Sequence, residues 1–444
     1  MLRVQERRWR SLMRFALATS PFYRKHLAGL DPDRCAYTDI PPITKSQLTA
    51  NWDEIVPDPR LRMDRLREFL SDRRNWGTLY CGRWMVSESS GTMGSPATLP
   101  QDVVALDWMH AVHSVRNGPL PDKASLPPWH PFKRRLRLAS FICTRAPFSS
   151  AAIFKTRPWV SSLFHTHHPI PIDTPWHEVI ERLNRIQPDV LLLYASMLER
   201  LAHAQLEGSL QLKFSHPAST ISTGGDALSP GIRALCKQAF GIEPLDTYGA
   251  TECPIIARQW HNVDRMLLME DMAVFEAMDR SGHPAAENEL SDHVLVTPLL
   301  NRAAPLLRFR LNDCVRVGPV QPGWPFRRIE EMVGRTSMIF EFRVPEQRVA
   351  VGMNLMGRWY NHPQLTVYQL KQVSKQEIQC AFIAQPGQDP QAIADSIAAE
   401  MRAALDTAGC RTVQCRAFAV AALEKHPRSG KTERYIPLYE DYTV

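Results

Sequence analysis

Residues 189–195, "DVLLLYA", form a short apolar run between two helical patterns. Before it stands "WHEVIERLNRIQ" (176–187). After it come a second apolar run, "ASTISTGGD" (218–226), and a second helical pattern, "SPGIRALCKQAF" (229–240). "ASFICT" (139–144) opens the series. Such alternation predicts an α/β sheet. The first 75 residues or so read differently, as helical hairpins with polar turns. "QERRWRSLMRFALATS" (5–20) carries apolar residues at helical spacing, "SPFYRKHLAG" (20–29) ends at a glycine stop, and a short helix opens at Thr44 or Ser46. The pattern changes again near residue 334. "VGRTSMIFEFRVPEQRVAVG" (333–352) and "LTVYQLKQVSKQEIQCAFIA" (365–384) read as strands. "DPQAIADSIAAEMRAALDTAG" (389–409) reads as an amphipathic helix closed by Gly409.

At 444 residues the chain is too long for one ordinary core. Two domains are expected, 1–334 and 335–444. The expected class is α/β: a large N-terminal domain of α/β sheets flanked by helices, then a small α+β C-terminal domain of βαβ character. Hydrophobic content of 44% and charged content of 22% are ordinary for a globular chain. No run approaches the roughly 18 apolar residues of a membrane helix, so no membrane span is expected. Arg14 interrupts the only apolar stretch near the start, which argues against a signal peptide. Nine scattered cysteines without a CxxC pair fit reduced thiols and a cytoplasmic location. The net charge of +7 is modest. The clusters "RRWR" (7–10) and "FKRRLRL" (132–138) come without a nucleic-acid fold signature, so no nucleic-acid partner is expected.

Five stretches carry candidate chemistry. "SESSGTMGSPATLP" (87–100) packs Ser89, Ser90, Gly91, Thr92 and Gly94 into six positions, where small residues let backbone N–H groups turn toward an anion. "LDTYGATECP" (245–254) sets Tyr248, Gly249, Thr251 and Glu252 in order. A ring can stack on a base there, and Thr–Glu can hold a phosphate and its Mg²⁺. "STGGDALSP" (222–230) supplies Gly224, Gly225 and Asp226, a place for backbone to lie against a planar ring or simply a tight turn. "NRAAPLLRFRLNDCVRV" (301–317) brings Arg310 and Asp313, able to hold a phosphate and a ribose or to form a surface ion pair. "IEEMVGRTSM" (329–338) adds Arg335. "PRSGKTER" (427–434) carries Lys431 beside Gly430. That last stretch is not a Walker-type loop, which needs a glycine five residues before its second glycine, where Lys425 stands.

In this order the stretches resemble the motifs of the adenylate-forming superfamily: acyl-CoA synthetases, peptide-synthetase adenylation domains and luciferases. "SSGTMGSP" resembles the phosphate loop, "YGATE" the aromatic–Gly–x–Thr–Glu motif and "RFRLND" the Tyr-Arg-x-x-Asp motif. "VGR" is similar to the hinge-side Gly-Arg, and "RSGKTER" to the catalytic-lysine loop. "ALATSPFYRKHLAG", "IQPDVLLLYASMLERLA" and "LLMEDMAVFEAMD" resemble the phenylacetate-CoA ligase-like branch. Met93, Ala97 and Ser337 depart from the usual residues at their positions.

The resemblance implies ATP-dependent activation of a carboxylic acid, aryl or otherwise apolar, to an acyl-adenylate, followed by transfer to a thiol. Coenzyme A is the first expectation, with a carrier-protein phosphopantetheine or an amine as alternatives. Ser89, Ser90, Gly91, Thr92 and Gly94 would hold the β- and γ-phosphates. Thr251 would touch the α-phosphate, and Glu252 would bind Mg²⁺. Gly224, Gly225, Asp226, Tyr248 and Gly249 would line the adenine slot. Asp313 would take the ribose, with Arg310 and Arg335 toward the same nucleotide. Lys431, on a small mobile lid domain turning about Ser337, would bridge carboxylate and α-phosphate. Trp129, Phe141, Phe148 and Tyr194 could cup the acid or be core. The cluster His165, His167 and His168 is open between surface and metal ligation. The expected partners are a small-molecule acid and an acyl carrier protein, with a homodimer left open.

Overall fold

The computed structural model describes residues 2–89, 97–117, 135–144, 147–157, 159, 161–216, 218–225, 228, 230–261, 263–335, 339–344, 347–352, 364–424, 435–436 and 438. The chain divides into two compact units. The first comprises residues 1–289, 294–311 and 316–330, and the second comprises 290–293, 312–315 and 331–444.

The alternation of apolar runs and helical stretches forms the large sheet. Leu136–Ile142 pairs in parallel with His165–Pro171 on one side and Val190–Leu193 on the other; Thr220–Gly224 and Leu245–Tyr248 then follow, also parallel. Past Leu245–Tyr248 the direction reverses, because Ala257–Gln259 and Met266–Leu268 pair antiparallel. Residues 313–320 and 327–335 complete a nine-stranded order.

Strand periodicity gives this sheet two unlike faces. One carries Ala139, Phe141, Leu191, Leu193 and Ile221. It packs on Val179 and Leu183 of the helix Trp176–Ile186, and on Met197, Leu198 and Leu201 of the helix Ala195–Leu206. The register puts Ser140, Leu192, Ser222, Thr247 and Arg258 on the other face. This face is mixed: Leu267, the register partner of Arg258, is buried in a second apolar cluster with Met85, Leu106, Met109 and Trp260.

The N-terminal helix Leu2–Thr19 buries Trp9, Leu12, Met13 and Ala16, one stripe at helical spacing. Ser20 caps the next helix, Pro21–His26, by accepting a hydrogen bond from the Tyr23 N–H. A second sheet of the first unit runs Ala273–Met278, residues 293–298, Phe309–Leu311. Just before its last strand, Arg308 takes a left-handed φ of 47°. Its guanidinium donates to both oxygens of Glu276, at 2.9 and 2.7 Å, and to the carbonyls of Ile40 at 2.6 Å and Thr38 at 3.1 Å. Both side chains are 8% exposed. Burial pushes the Glu276 carboxyl up, and Arg308 pulls it back.

The second unit has its own core. Leu365–Ser374 and Glu377–Ala384 form an antiparallel pair, flanked in parallel by Tyr435–Ile436 and Gln414–Ala419. The helix Pro390–Thr407 opens with Asp389 accepting from the Gln391 N–H at 2.9 Å, and it closes at Gly409, φ +78°. Ile393, Ile397, Met401 and Leu405 recur every fourth residue and are buried with Phe382 and Cys380. A strand–helix–strand unit over a small sheet is the α+β arrangement expected from the sequence.

Removing Arg308 strands a buried carboxylate. Arg308→Met should destabilise the chain by about 3–5 kcal/mol in urea unfolding. Replacing both partners, as Arg308→Met with Glu276→Met, should cost less than the single change. A double variant as unstable as the single would show that the four hydrogen bonds, rather than the stranded charge, carry the effect.

Candidate active site

Several of the motif residues meet at the carboxyl ends of the parallel strands, where open α/β sheets bind their ligands. Gly224 and Gly225 end one strand, and Tyr248 and Gly249 end the next. Between them a glycine is required at 225. Its φ is +86°, and a Cβ there would stand 3.0 Å from the ring of Tyr194. That ring follows the strand Val190–Leu193, and its hydroxyl accepts from the Cys143 N–H at 3.2 Å.

At Gly249 the chain reverses. A Cβ there would lie 2.3 Å from the carbonyl oxygen of Pro254, so only glycine permits the close return. Ala250 and Cys253 then exchange backbone hydrogen bonds of 2.9 and 3.1 Å, which close a tight turn around Thr251 and Glu252. Glu252 is 7% exposed. Cys253 beside it is pushed up to about 12, by burial first and then by the Glu252 charge. Tyr248 is buried, its ring edge-on to Phe275 at 6.4 Å.

The hairpin Trp84–Glu88/Thr98–Asp102 approaches this turn. Ser89 donates its N–H to the Ala97 carbonyl at 2.9 Å, and the Ala97 N–H donates to the Ser89 hydroxyl at 2.9 Å. The two residues therefore clasp the base of the loop between them. Ser90, Gly91, Thr92 and Gly94 on that loop lie outside the described residues. Four residues along the strand from Ala97, the buried Gln101 side chain donates to the Thr251 carbonyl at 3.0 Å. This contact, across 150 residues of sequence, ties the strand that follows the Ser/Gly-rich stretch to "YGATE". Nothing in the sequence signalled it.

The remaining candidates fall elsewhere. In the second unit Asp313 and Arg335 form an ion pair at 3.5 Å. Arg310 belongs to the first unit, exposed on Phe309–Leu311. Phe141 is 1% exposed inside the helix-covered core, on the face opposite Ser140. Phe148 is half-buried ahead of the helix Ser149–Lys155. Trp129, Asp226, Ser337 and Lys431 lie outside the described residues. Among the described residues no group of three His, Cys, Asp or Glu side chains is arranged to hold a metal. His165 contacts the Ser161 carbonyl at 3.3 Å, and His167 Nε2 meets the Ser140 hydroxyl at 2.8 Å. For Mg²⁺ the fitting donor is the Glu252 carboxylate, a hard oxygen ligand fixed on a tight turn.

Two further titratable groups are shifted by their surroundings, His110 on the helix Val103–Asn117 and His167 on the strand His165–Pro171. Burial, then the Arg157 charge, pushes His110 down to about 4. The same two causes, with a smaller one from His168, push His167 down to about 4. Both imidazoles are therefore neutral in the folded chain, while unfolded histidines take up protons near pH 6.5. Stability from these groups is complete above that pH and falls as pH drops from about 6.5 toward 4. Urea midpoints should decline between pH 7 and pH 4.5, less steeply in a His110→Gln/His167→Gln variant. At constant pH 7.5, Gly249→Ala should weaken the fold more than Gly241→Ala, where a φ of +75° strains an alanine but its Cβ would meet nothing within 4 Å.

No protein-family model matches the chain. Protein CapK of Staphylococcus aureus is 24% identical over 180 residues, a stretch covering 40% of this chain and 37% of that protein. Solved structures match far more of it. A 2-hydroxyisobutyryl-CoA ligase in the postadenylation state, in complex with R3-HIB-AMP, superposes with a TM-score of 0.66 at 15% identity, over 98% of this chain and 88% of that one. The same enzyme with 2-HIB-AMP and CoA in the thioesterification state gives 0.62 at 15% identity, over 98% and 89%. An anthranilate CoA ligase, AuaEII, in complex with anthranoyl-AMP gives 0.50 at 15% identity, over 79% and 64%. At these identities the likeness is one of fold: this chain has the fold of the adenylate-forming enzymes, a large α/β sheet domain and a smaller C-terminal domain.

Proposed function

We propose that the chain activates a carboxylic acid with ATP and transfers the acyl group to a thiol, coenzyme A being the first candidate. The observation that carries this reading is the Gln101–Thr251 hydrogen bond. It ties the strand Thr98–Asp102, which leaves the clasped loop base at Ser89 and Ala97, to the Thr251–Glu252 turn, and so supports one site built from both.

In the first half-reaction a carboxylate oxygen forms a bond to the α-phosphorus while the bond to the β-phosphate oxygen breaks, and pyrophosphate leaves. Two anions must approach, so the site has to neutralise charge where it accumulates. Glu252 would hold Mg²⁺, whose positive charge offsets that of the phosphates. Ser89 to Gly94 would orient the leaving pyrophosphate, and Thr251 the α-phosphate. Tyr248, Gly224 and Gly225 would take the adenine, and Asp313, held by Arg335, the ribose. Lys431 would supply a cation to the entering carboxylate and the α-phosphate.

In the second half-reaction the thiol sulfur bonds to the acyl carbon, the carbon–oxygen bond to AMP breaks, and the thiol proton passes to solvent. A phosphopantetheine arm or an amine could replace coenzyme A by the same displacement. The branch resemblance favours an aryl or apolar acid, as in phenylacetate-CoA ligase-like enzymes. The nine cysteines form no disulfide, which supports the expectation of a reducing, cytoplasmic setting.

The direct test is ATP–pyrophosphate exchange across aryl, arylacetic, fatty and amino acids, with and without coenzyme A. Lys431→Ala should lower exchange by about 10²-fold, the scale of losing one transition-state stabiliser. Exchange in that variant at the wild-type rate would remove the lysine from the mechanism, and no exchange with any acid would remove the reading.

A further inference from the structure

A glutamine stands in an apolar setting on the hairpin that approaches the Thr251–Glu252 turn. Gln101 lies on Thr98–Asp102 and is 2% exposed. Strand parity gives it two neighbours on its own side, Leu99 two places along and Met85 directly opposite, and both are fully buried. Met85 packs with Ile255 and Trp260, which follow the turn. An amide taken out of water here is unfavourable unless it finds a hydrogen-bond partner, and a leucine or methionine would cost nothing of the kind. The partner that Gln101 finds is the Thr251 carbonyl, at 3.0 Å.

The backbone beneath that side chain is held from both sides. Thr98–Asp102 is an edge strand of its three-stranded sheet, paired to Trp84–Glu88 along one side only. The buried Asn301 side chain covers the open side on either flank of Gln101. Its Nδ2 donates to the Pro100 carbonyl at 3.0 Å, and its Oδ1 accepts from the Asp102 N–H at 3.1 Å. That oxygen also accepts from the Ala303 N–H at 3.2 Å. Gln101 therefore reaches the turn from a fixed base.

What it grips there is the peptide between Thr251 and Glu252. The two backbone bonds between Ala250 and Cys253 close the turn but leave the Thr251 carbonyl out. A peptide plane turns through ψ of the residue before it and φ of the residue after it. A bond on that carbonyl thus fixes ψ of Thr251 and φ of Glu252 together, and with them the directions in which the hydroxyl and the carboxylate leave the backbone.

We propose that Gln101 is a positioning residue: by holding the Thr251 carbonyl it sets Glu252 toward Mg²⁺ and Thr251 toward the α-phosphate. The inference rests on the adenylation reading above and adds a residue that acts through the turn rather than on ATP or the acid. Groups that stand behind a metal ligand in this way change metal affinity or rate by about 10-fold or more when they are lost.

The test uses the full chain and pyrophosphate exchange with an acid that the wild type accepts, at fixed ATP and varied Mg²⁺. Gln101→Met keeps the length and removes the donor. It should lower kcat about 10-fold and raise the Mg²⁺ needed for half the maximal rate about 5-fold, with KM for the acid within about twofold of wild type. Gln101→Glu can donate to the carbonyl only while its carboxyl is protonated, and burial beside Leu99 and Met85 favours that form. Its rate relative to wild type should therefore climb as pH falls from about 8.5 to about 6. Ser20→Ala supplies the control, since it removes another buried side chain's bond to a carbonyl, from Ser20 to Glu54 at 2.7 Å in the N-terminal segment. It should lower the melting temperature without moving kcat or the Mg²⁺ dependence.

Gln101→Met with the kcat and Mg²⁺ dependence of wild type would overturn the inference and leave the adenylation reading standing. Equal losses in Ser20→Ala would assign the effect to the fold and overturn it as well. A chain silent for exchange with every acid overturns adenylation, and Mg²⁺-dependent ATP binding, followed by calorimetry, then decides the role of Gln101. Binding weakened in Gln101→Met sustains that role, and binding equal in both chains or absent from both overturns it.

Discussion

The close return of the chain at Gly249 is the constraint on which the site depends. Five parallel strands would otherwise send their next connection away from the sheet, through a crossover helix. A missing Cβ lets the backbone pass within contact of Pro254, so that the next strand comes back antiparallel beside Tyr248. The same reversal forces Thr251 and Glu252 into a turn whose backbone is closed on itself, with their side chains at the sheet's carboxyl edge. A turn held this way is preorganised, and preorganised polar groups are the ones that act on developing charge without first having to reorient.

Around this turn, order is transmitted by two kinds of interaction. Buried polar contacts fix position: Gln101 on the Thr251 carbonyl, and Arg308 on Glu276 and two carbonyls of the N-terminal segment. Apolar packing supplies the bulk of the stability on the helix-covered face of the sheet. The division leaves the opposite face free to carry polar residues beside apolar ones.

Much of the fold was legible in the sequence. The apolar runs at 139–144, 189–195 and 218–226 became adjacent parallel strands because strands buried on one side by helices need short apolar stretches between amphipathic ones. The helix ending at Gly409 was equally clear, since its fourfold apolar repeat and glycine stop are local signals. The candidate site was legible as motifs but not as a place. Gln101 meets Thr251 across 150 residues, and no local pattern encodes that. Phe141 looked available to cup a ligand, yet strand parity turned it into the helix-covered core, which only the register reveals.

The division of the chain into units has a further consequence. The second unit is assembled from three separate stretches, 290–293, 312–315 and 331–444. Asp313 lies on the middle one and Arg335 on the last. A protease nick anywhere between residues 316 and 330 would put the two members of that ion pair on different fragments. The smallest contiguous piece that keeps all of the second unit's stretches begins at residue 290, well ahead of the point where the strand pattern changes. An exchange of C-terminal modules between relatives by a single crossover near residue 334 would therefore carry Arg335 without the carboxylate that holds it.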